Sequence, residues 1–414
     1  MNVNVFGSNI SAMVCAACLA ETGNQVTLVG QPKTGSPEPG LSKLIGEQTA
    51  SGRLNISSDY DLEADVHILS LSADKDKKAL EIAERLSDSA NPDHCLIIRS
   101  NLDLKTIQEI ERKANMPVIV NPDFTAEGQA ISGFQKPDRI IVGSDDEKAL
   151  KRFKLLFAPF NRNRDIFIQM TPQAAVLTKY ATNVLIATRI SLMNELARVA
   201  ESTHADIEEI RQGLGSDKRI GFTYLYPGIG FGGVHLSRDL QRMQKLLDKS
   251  GSQQGLLKTV YDINQQQKEL LFRKAWQHYR CELDGRHIAM WGVTYKPNSS
   301  VIKEAPSLTL IEAFIHQGCH LHLYDPNLGS SFHNWVNKTF DAAQQARIHI
   351  HLDMYEAIRN TDALCVTTEA KLFWSPDLKR LKENMNVPMI LDGRNIYDKQ
   401  WMEEEGMIYY GVGR

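Results

Sequence analysis

At 414 residues the chain is too long for one ordinary core, and 42% hydrophobic against 23% charged residues is the balance of a folded globular protein. A net charge of −3 without a basic stripe argues against nucleic acid as the main partner. Residues 1–20 are apolar but carry Asn2, Asn4 and Asn9 and lack a basic leader, and no later run is long enough to span a membrane; a cytoplasmic protein of two or three domains is expected.

In chain order, short apolar runs at 3–6, 26–29, 66–71, 95–99 and 118–120 read as strands, and the patterns at 12–21, 77–86 and 104–113 read as the helices between them. That rhythm predicts a parallel sheet covered on both faces. From Thr171 to Ser202 the pattern is uninterrupted helix, and helices are expected to continue through Arg280, including one long helix over 255–280. A second alternating segment follows, with strands at 288–292, 320–324, 363–367 and 389–392 and a helix at 306–317. The expected fold class is α/β: two Rossmann-like parallel-sheet domains, 1–167 and 281–414, joined by a central helical region, 168–280.

Six cysteines are scattered at 15, 18, 95, 281, 319 and 365. Cys15 and Cys18 have C-x-x-C spacing but lie inside an apolar helical stretch, so they read as small core residues. With no second such pair and no clustered His–Cys set, no metal is expected.

The first strand ends in Gly7-Ser8-Asn9-Ile10-Ser11-Ala12, where a dinucleotide fingerprint G-x-G-x-x-G would fall. Gly7 suits the tight turn, and Ala12 permits close helix–strand packing. Asn9 stands where a second glycine lets the backbone approach the pyrophosphate. After the second strand, Gly30 replaces the acid that would bond the ribose of NAD. With Lys33 nearby, that leaves NADP, NAD or weak dinucleotide binding open.

Further on, the chain reads N-P-D-F-T-A-E-G (121–128), K-Y-A-T-N-V-L-I-A-T-R-I-S-L-M-N-E-L-A (179–197), G-S-D-K-R-I-G (215–221) and G-F-G-G-V-H-L-S-R-D (230–239). W-G-V-T-Y-K-P-N (291–298), Y-D-P (324–326) and D-G-R (392–394) follow. In order and spacing these resemble the UDP-glucose/GDP-mannose dehydrogenase family along nearly the whole chain. That family oxidises a primary alcohol twice, through a thiohemiacetal and a thioester on a cysteine, and reduces two NAD.

The resemblance implies roles residue by residue. Lys179 and Asn183 match the lysine and asparagine that stabilise the developing oxyanion, and Asp239 matches the aspartate that accompanies proton transfer. Asp123 stands where the family has the glutamate of thioester hydrolysis, and Glu127 keeps its place. His235 occupies the position of the cysteine nucleophile. On the cofactor side, Gly7, Asn9, Ile10 and Gly30 match the dinucleotide loop, Asn101 replaces a threonine, and Lys303 replaces an arginine that approaches the cofactor. On the substrate side, Arg219, Phe222, Tyr224, Gly232, Lys296 and Arg394 match residues around the nucleotide sugar, with Arg219 reaching into a neighbouring subunit. A homodimer is therefore implied, with NAD or NADP as cofactor and a UDP-sugar as the favoured ligand. Imidazole offers no stable equivalent of the thiohemiacetal. Three readings stay open: a degenerate nucleotide-sugar-binding member, regulatory or a partner subunit for an active paralogue; a working dehydrogenase with a compensated site; and single oxidation to the aldehyde.

Overall fold

Short runs rich in Val, Ile and Leu, buried on both faces, form the central strands of two sheets, as parallel sheets covered by helices require. The computed structural model describes residues 1–31, 38–72, 74–88, 91, 93–126, 128–161, 165–252 and 255–414. The chain divides into two compact units, Met1–Ala181 and Thr182–Arg414.

The first unit holds β1 (Asn2–Phe6), β2 (Gln25–Val29), β3 (Leu54–Ser57), β4 (Val66–Leu69), β5 (Cys95–Ile98), β6 (Val118–Val120), β7 (Ile140–Gly143) and β8 (Phe167–Met170). Their order is β3-β2-β1-β4-β5-β6-β7-β8, parallel except where β7 meets β6. The first six strands follow the doubly wound order that places a ligand crevice at the carboxyl ends of β1 and β4. The helix Ile10–Glu21 is buried continuously from Ala12 to Ala20, which small side chains permit. Cys15 and Cys18 are part of this core, and burial pushes the Cys15 thiol up to about 12, so it stays protonated and inert.

The helix Pro172–Thr203 begins in the first unit and continues into the second. There it is followed by the helices Ile207–Ser216, Val234–Lys249, Gly255–Gln267 and Leu270–His278. The second sheet contains β9 (His287–Trp291), β10 (His320–Tyr324), β11 (Ile348–Ile350), β12 (Ala363–Val366), β13 (Met389–Asp392) and β14 (Ile408–Tyr410). It is wholly parallel, in the order β11-β10-β9-β12-β13-β14. Two Rossmann-like sheets with helices between them is the architecture expected from the sequence.

One helix differs from expectation. Instead of running unbroken over 255–280, the chain forms two helices that part at Lys268 and Glu269. Glu269 N–H bonds back only three residues, to Gln266 O, at 3.4 Å, and Arg273 Nη1 donates to the same carbonyl at 2.8 Å. The second helix stops at His278, and Arg280 and Cys281 take left-handed conformations beyond it. The polar run that interrupts the apolar pattern has a use of its own: Asn264, Gln267 and Lys268 are buried.

Candidate functional site

In the first unit the crevice is built on Gly7. Its φ is +153°, and a Cβ there would lie 2.3 Å from Ser70 O and 2.7 Å from Ala12 Cβ, so only glycine fits the turn. Gly30 has φ +146°, and a Cβ would meet Gly7 O at 2.8 Å. The acid absent after β2 is thus sterically unwelcome. Asn9 sits at the N-cap of the helix Ile10–Glu21, and its carboxamide oxygen accepts the Ala12 N–H at 2.8 Å. Ile10 opens that helix. A helix N-terminus grips pyrophosphate through its unpaired N–H groups, and Asn9 already occupies one of them. Lys33 lies outside the described residues. Asn9 thus claims one helix N–H at the pyrophosphate end of the turn, and Gly30 brings no acid to the ribose end.

Next to this turn, Ser11 Oγ donates to Asp123 Oδ2 and lies 3.1 Å from Ser70 Oγ. Asp123 Oδ1 accepts Thr125 N–H at 2.9 Å and Thr125 Oγ1–H at 2.8 Å, and pairs with Arg99 Nη2 at 3.1 Å. Burial alone would raise the Asp123 carboxyl, but the Arg99 guanidinium and the Ser11 and Thr125 donors hold it below the usual range. Arg99, 6% exposed, also donates to Asn121 Oδ1 at 2.5 Å. Asn101, Asp123, Lys179 and Tyr180 line one small cleft, and Tyr180 O–H donates to Leu102 O at 2.5 Å. The Lys179 ammonium stands 4.7 Å above the Phe124 ring. Glu127 lies outside the described residues.

In the second unit the glycine loop is held by three amide side chains. Asn194 Oδ1 accepts Gly228 N–H at 2.9 Å, and Gln267 Nε2 donates to Gly228 O at 2.7 Å. Asn264, fully buried, accepts Phe231 N–H at 2.7 Å and donates to Phe231 O at 3.1 Å, copying a strand partner. Gly233 has φ +80°, and a Cβ would meet the Tyr295 ring at 2.7 Å; its N–H donates to Lys303 O at 3.0 Å. Gly232 has equally little room, since a Cβ would lie 2.6 Å from Glu304 O. Lys268, 3% exposed, pairs with Glu304 at 3.0 Å.

The helix Val234–Lys249 starts where this loop ends, so His235 sits in its first turn, exposed. One turn on, Asp239 is fully buried and accepts from Asn183 Nδ2 at 2.6 Å. Arg238 and Arg242 each place a nitrogen 3.8 Å from Asp239 Oδ1. Asn183 and Asp239 are thus paired across two helices, and His235 stands one turn before Asp239 on the second of them.

Of the remaining residues, Arg394 is anchored, donating to Thr367 O at 2.8 Å and pairing with Glu369 at 3.3 Å. Lys296 lies 5.3 Å over the Tyr295 ring, and Lys303 is exposed. Arg219 is 88% exposed in its side chain and makes a two-pronged pair with Asp217, at 2.6 and 3.0 Å. Phe222 and Tyr224 are exposed beside it. Among the residues assigned to the cofactor, Gly7, Asn9, Ile10, Gly30 and Asn101 belong to the first unit and Lys303 to the second. Sequence reasoning missed the amide clamp; the signal was the polar run at 264–269 inside an otherwise apolar helix.

Comparison with known proteins agrees with this layout. Three descriptions of the UDP-glucose/GDP-mannose dehydrogenase family match the chain: its NAD binding domain over residues 1–161, its central domain over 173–266 and its UDP binding domain over 289–399. The UDP-glucose 6-dehydrogenase of Pseudomonas aeruginosa is 32% identical, with 100% of this chain and 98% of the relative covered. That of Rhizobium meliloti is 29% identical, with both chains covered in full. In fold, a UDP-glucose dehydrogenase from Pyrobaculum islandicum superposes with a TM-score of 0.84 at 22% identity, covering 100% of this chain and 97% of the other. Matched over its whole length in sequence, the chain belongs to the UDP-glucose/GDP-mannose dehydrogenase family.

Proposed function

We propose that this chain binds a nucleotide sugar, a UDP-sugar in preference, and does not carry it to the uronic acid. One observation carries the reading. The glycine loop is intact and pinned, yet the first turn after it presents His235 and no thiol. Without a thiolate there is no covalent hemiacetal, and the second oxidation loses its path. The groups suited to a nucleotide sugar remain: Arg394 is rigidly placed, Lys296 and Arg219 keep their positive charge, and cations of this kind suit a pyrophosphate. The dinucleotide turn fits its ligand less well, because Asn9 takes a helix N–H and Gly30 brings no acid. Asp123, tied by Arg99 and held ionised, is a weak proton acceptor and serves to order the first crevice.

A second reading, single oxidation to the aldehyde, is favoured by the retention of Lys179 and Asn183, four residues apart on one helix, with Asp239 beside Asn183. A further part of the proposal is a homodimer. Leu185, Leu192 and Val199 recur at seven-residue spacing on the helix Pro172–Thr203 and are 63%, 55% and 56% exposed, a seam suited to a second copy of this chain. Such a dimer would give the outward Arg219 a neighbouring site to serve. An active paralogue with its thiol intact is the alternative partner.

The test pairs calorimetry with UDP-glucose, GDP-mannose, NAD and NADP with product identification by mass spectrometry. Nucleotide-sugar binding tighter than NAD binding, with no uronic acid, is expected. Uronic acid made by the unmodified chain would overturn the proposal. Aldehyde with stoichiometric cofactor reduction would select the second reading.

A further inference from the structure

Five histidines gather on one face of the second sheet, away from the residues discussed above. His287 opens β9, His320 and His322 lie on β10, and His349 and His351 lie on or just after β11. The register sets His320 opposite His287 and His349 opposite His322. Alternation along a strand then puts all five side chains on the same face. The rings are stacked, His287 on His320 with centroids 4.8 Å apart and His322 on His349 at 5.0 Å. His287 Nδ1 lies 2.9 Å from His322 Nε2, and His322 Nδ1 lies 3.1 Å from His351 Nε2. Each contact joins an N–H to a bare ring nitrogen, an arrangement that two neutral imidazoles can make and two imidazolium ions, which have no acceptor, cannot.

We infer that this histidine face is an acid-sensitive latch: neutral rings hold the edge strand β11 on the sheet, and their protonation releases it. β11 is three residues long, pairs with β10 alone and carries the partly exposed Ile350, so ring contacts form a large share of what retains it. Two protonated rings at stacking distance repel, and His322 has imidazole on both sides.

The surrounding charges do not offset that repulsion. Arg286 precedes β9, and Arg347 opens the turn into β11 and adds positive charge beside His320. Asp284 acts on His320 in the opposite sense, and Glu356, on the short helix Met354–Ala357 packed over β9 and β10, acts so on His351. Asp353 is committed to capping that helix, and the Asp362 carboxylate to the His287 N–H at 2.9 Å. Burial first, and then the neighbouring rings, push His322 down to about 3; His320 and His351 are also lowered, burial again leading. A folded value below the unfolded one means that an opened strand takes up protons which the closed sheet excludes. The stabilisation is present above about pH 6.5 and is lost progressively as the pH falls below it.

The test is hydrogen exchange by mass spectrometry on the full chain at about pH 7.5 and about pH 5.5, corrected for intrinsic exchange. Protection over residues 345–352 is expected to fall by roughly tenfold or more, while β12 and β13 hold. The variant carrying His322→Gln, which lacks the ring at the centre of the stack, should show a clearly smaller pH dependence. Proton NMR titration of the wild-type histidines keeps the inference testable if that variant fails to fold, since His322 should resist protonation down to about pH 5. Protection of β11 that does not change with pH, an undiminished change in the folded variant, or five ordinary histidine titrations would overturn the latch.

Discussion

After β2 of the first sheet the chain carries Gly30; after β10, the corresponding strand of the second sheet, it carries Asp325. The first six strands of the first sheet and the six of the second follow the same order, and both sheets place a glycine of positive φ after their first strand, Gly7 and Gly292. In the first sheet Gly7 leads almost at once into the helix at Ile10, and Gly30 packs its backbone on Gly7. In the second, residues 293–305 form a long connection before the helix Pro306–His316. Asp325 Oδ2 accepts the N–H groups of Val293 and Thr294 and the Thr294 hydroxyl at 2.7–2.8 Å, and Oδ1 accepts Asn327 N–H. An acid in the position that grips ribose in a dinucleotide fold is here used to hold its own loop. One topology therefore supplies the crevice twice, and side chains decide what each crevice can take.

The largest expected effect tests whether the first crevice is structural. Asp123→Ala strands Arg99 in a buried setting and should cost about 3–5 kcal/mol in denaturant unfolding. Its depressed carboxyl gives a matching pH signature. The stability it contributes is present above about pH 4 and is lost as the pH falls through the lower folded value. A cost below about 1 kcal/mol would mean that the pair is dispensable.

In the second sheet, Asp325→Ala leaves the Val293 and Thr294 donors without their acceptor. We expect a loss of about 2–4 kcal/mol, and about 1 kcal/mol for Asp325→Asn, which keeps an oxygen in place. If nucleotide-sugar affinity collapses in Asp325→Asn while stability is retained, the carboxylate contacts ligand and the contrast drawn above fails.

Gly30→Asp sharpens the comparison from the other side. At φ +146° with Gly7 O so close, the substitution should destabilise by about 1–3 kcal/mol and bring no gain in NAD affinity. A stable variant that binds NAD tightly by calorimetry would show that the first turn relaxes easily. The smallest effect is expected at Asn9. Replacing the cap by glycine should cost only a few tenths of a kcal/mol, whereas Asn9→Ala should cost about 1 kcal/mol. Asn9→Gly also frees the Ala12 N–H, so NAD affinity should rise. Unchanged affinity would locate the obstacle elsewhere.

Much of this was legible in the chain. Apolar runs at strand length and small-residue helices gave both sheets, because a strand buried on two faces has few other ways to be written. The motifs from Asn121 to Arg394 marked the family, whereas the hydrogen bond between Asn183 and Asp239, residues from two of those motifs, came from the structure. The break after Gln267 was marked only by the polar run at 264–269, which a solvent-facing stretch of one continuous helix would show equally. The edge strands β3, β8, β11 and β14 also passed unseen, being short and partly exposed, as did the buried four-residue strand β7.

By itself the sequence determined the α/β class and the family. These depend on residue type and order, which a linear text records in full. Only the tertiary structure decided that Gly30 has no room for an acid, that Asp123 is tied to Arg99, that Asn194, Asn264 and Gln267 shape the glycine loop, and that five histidines from three strands stack on one face. Each depends on atoms far apart along the chain approaching within a few ångströms, and local spacing carries no record of that distance.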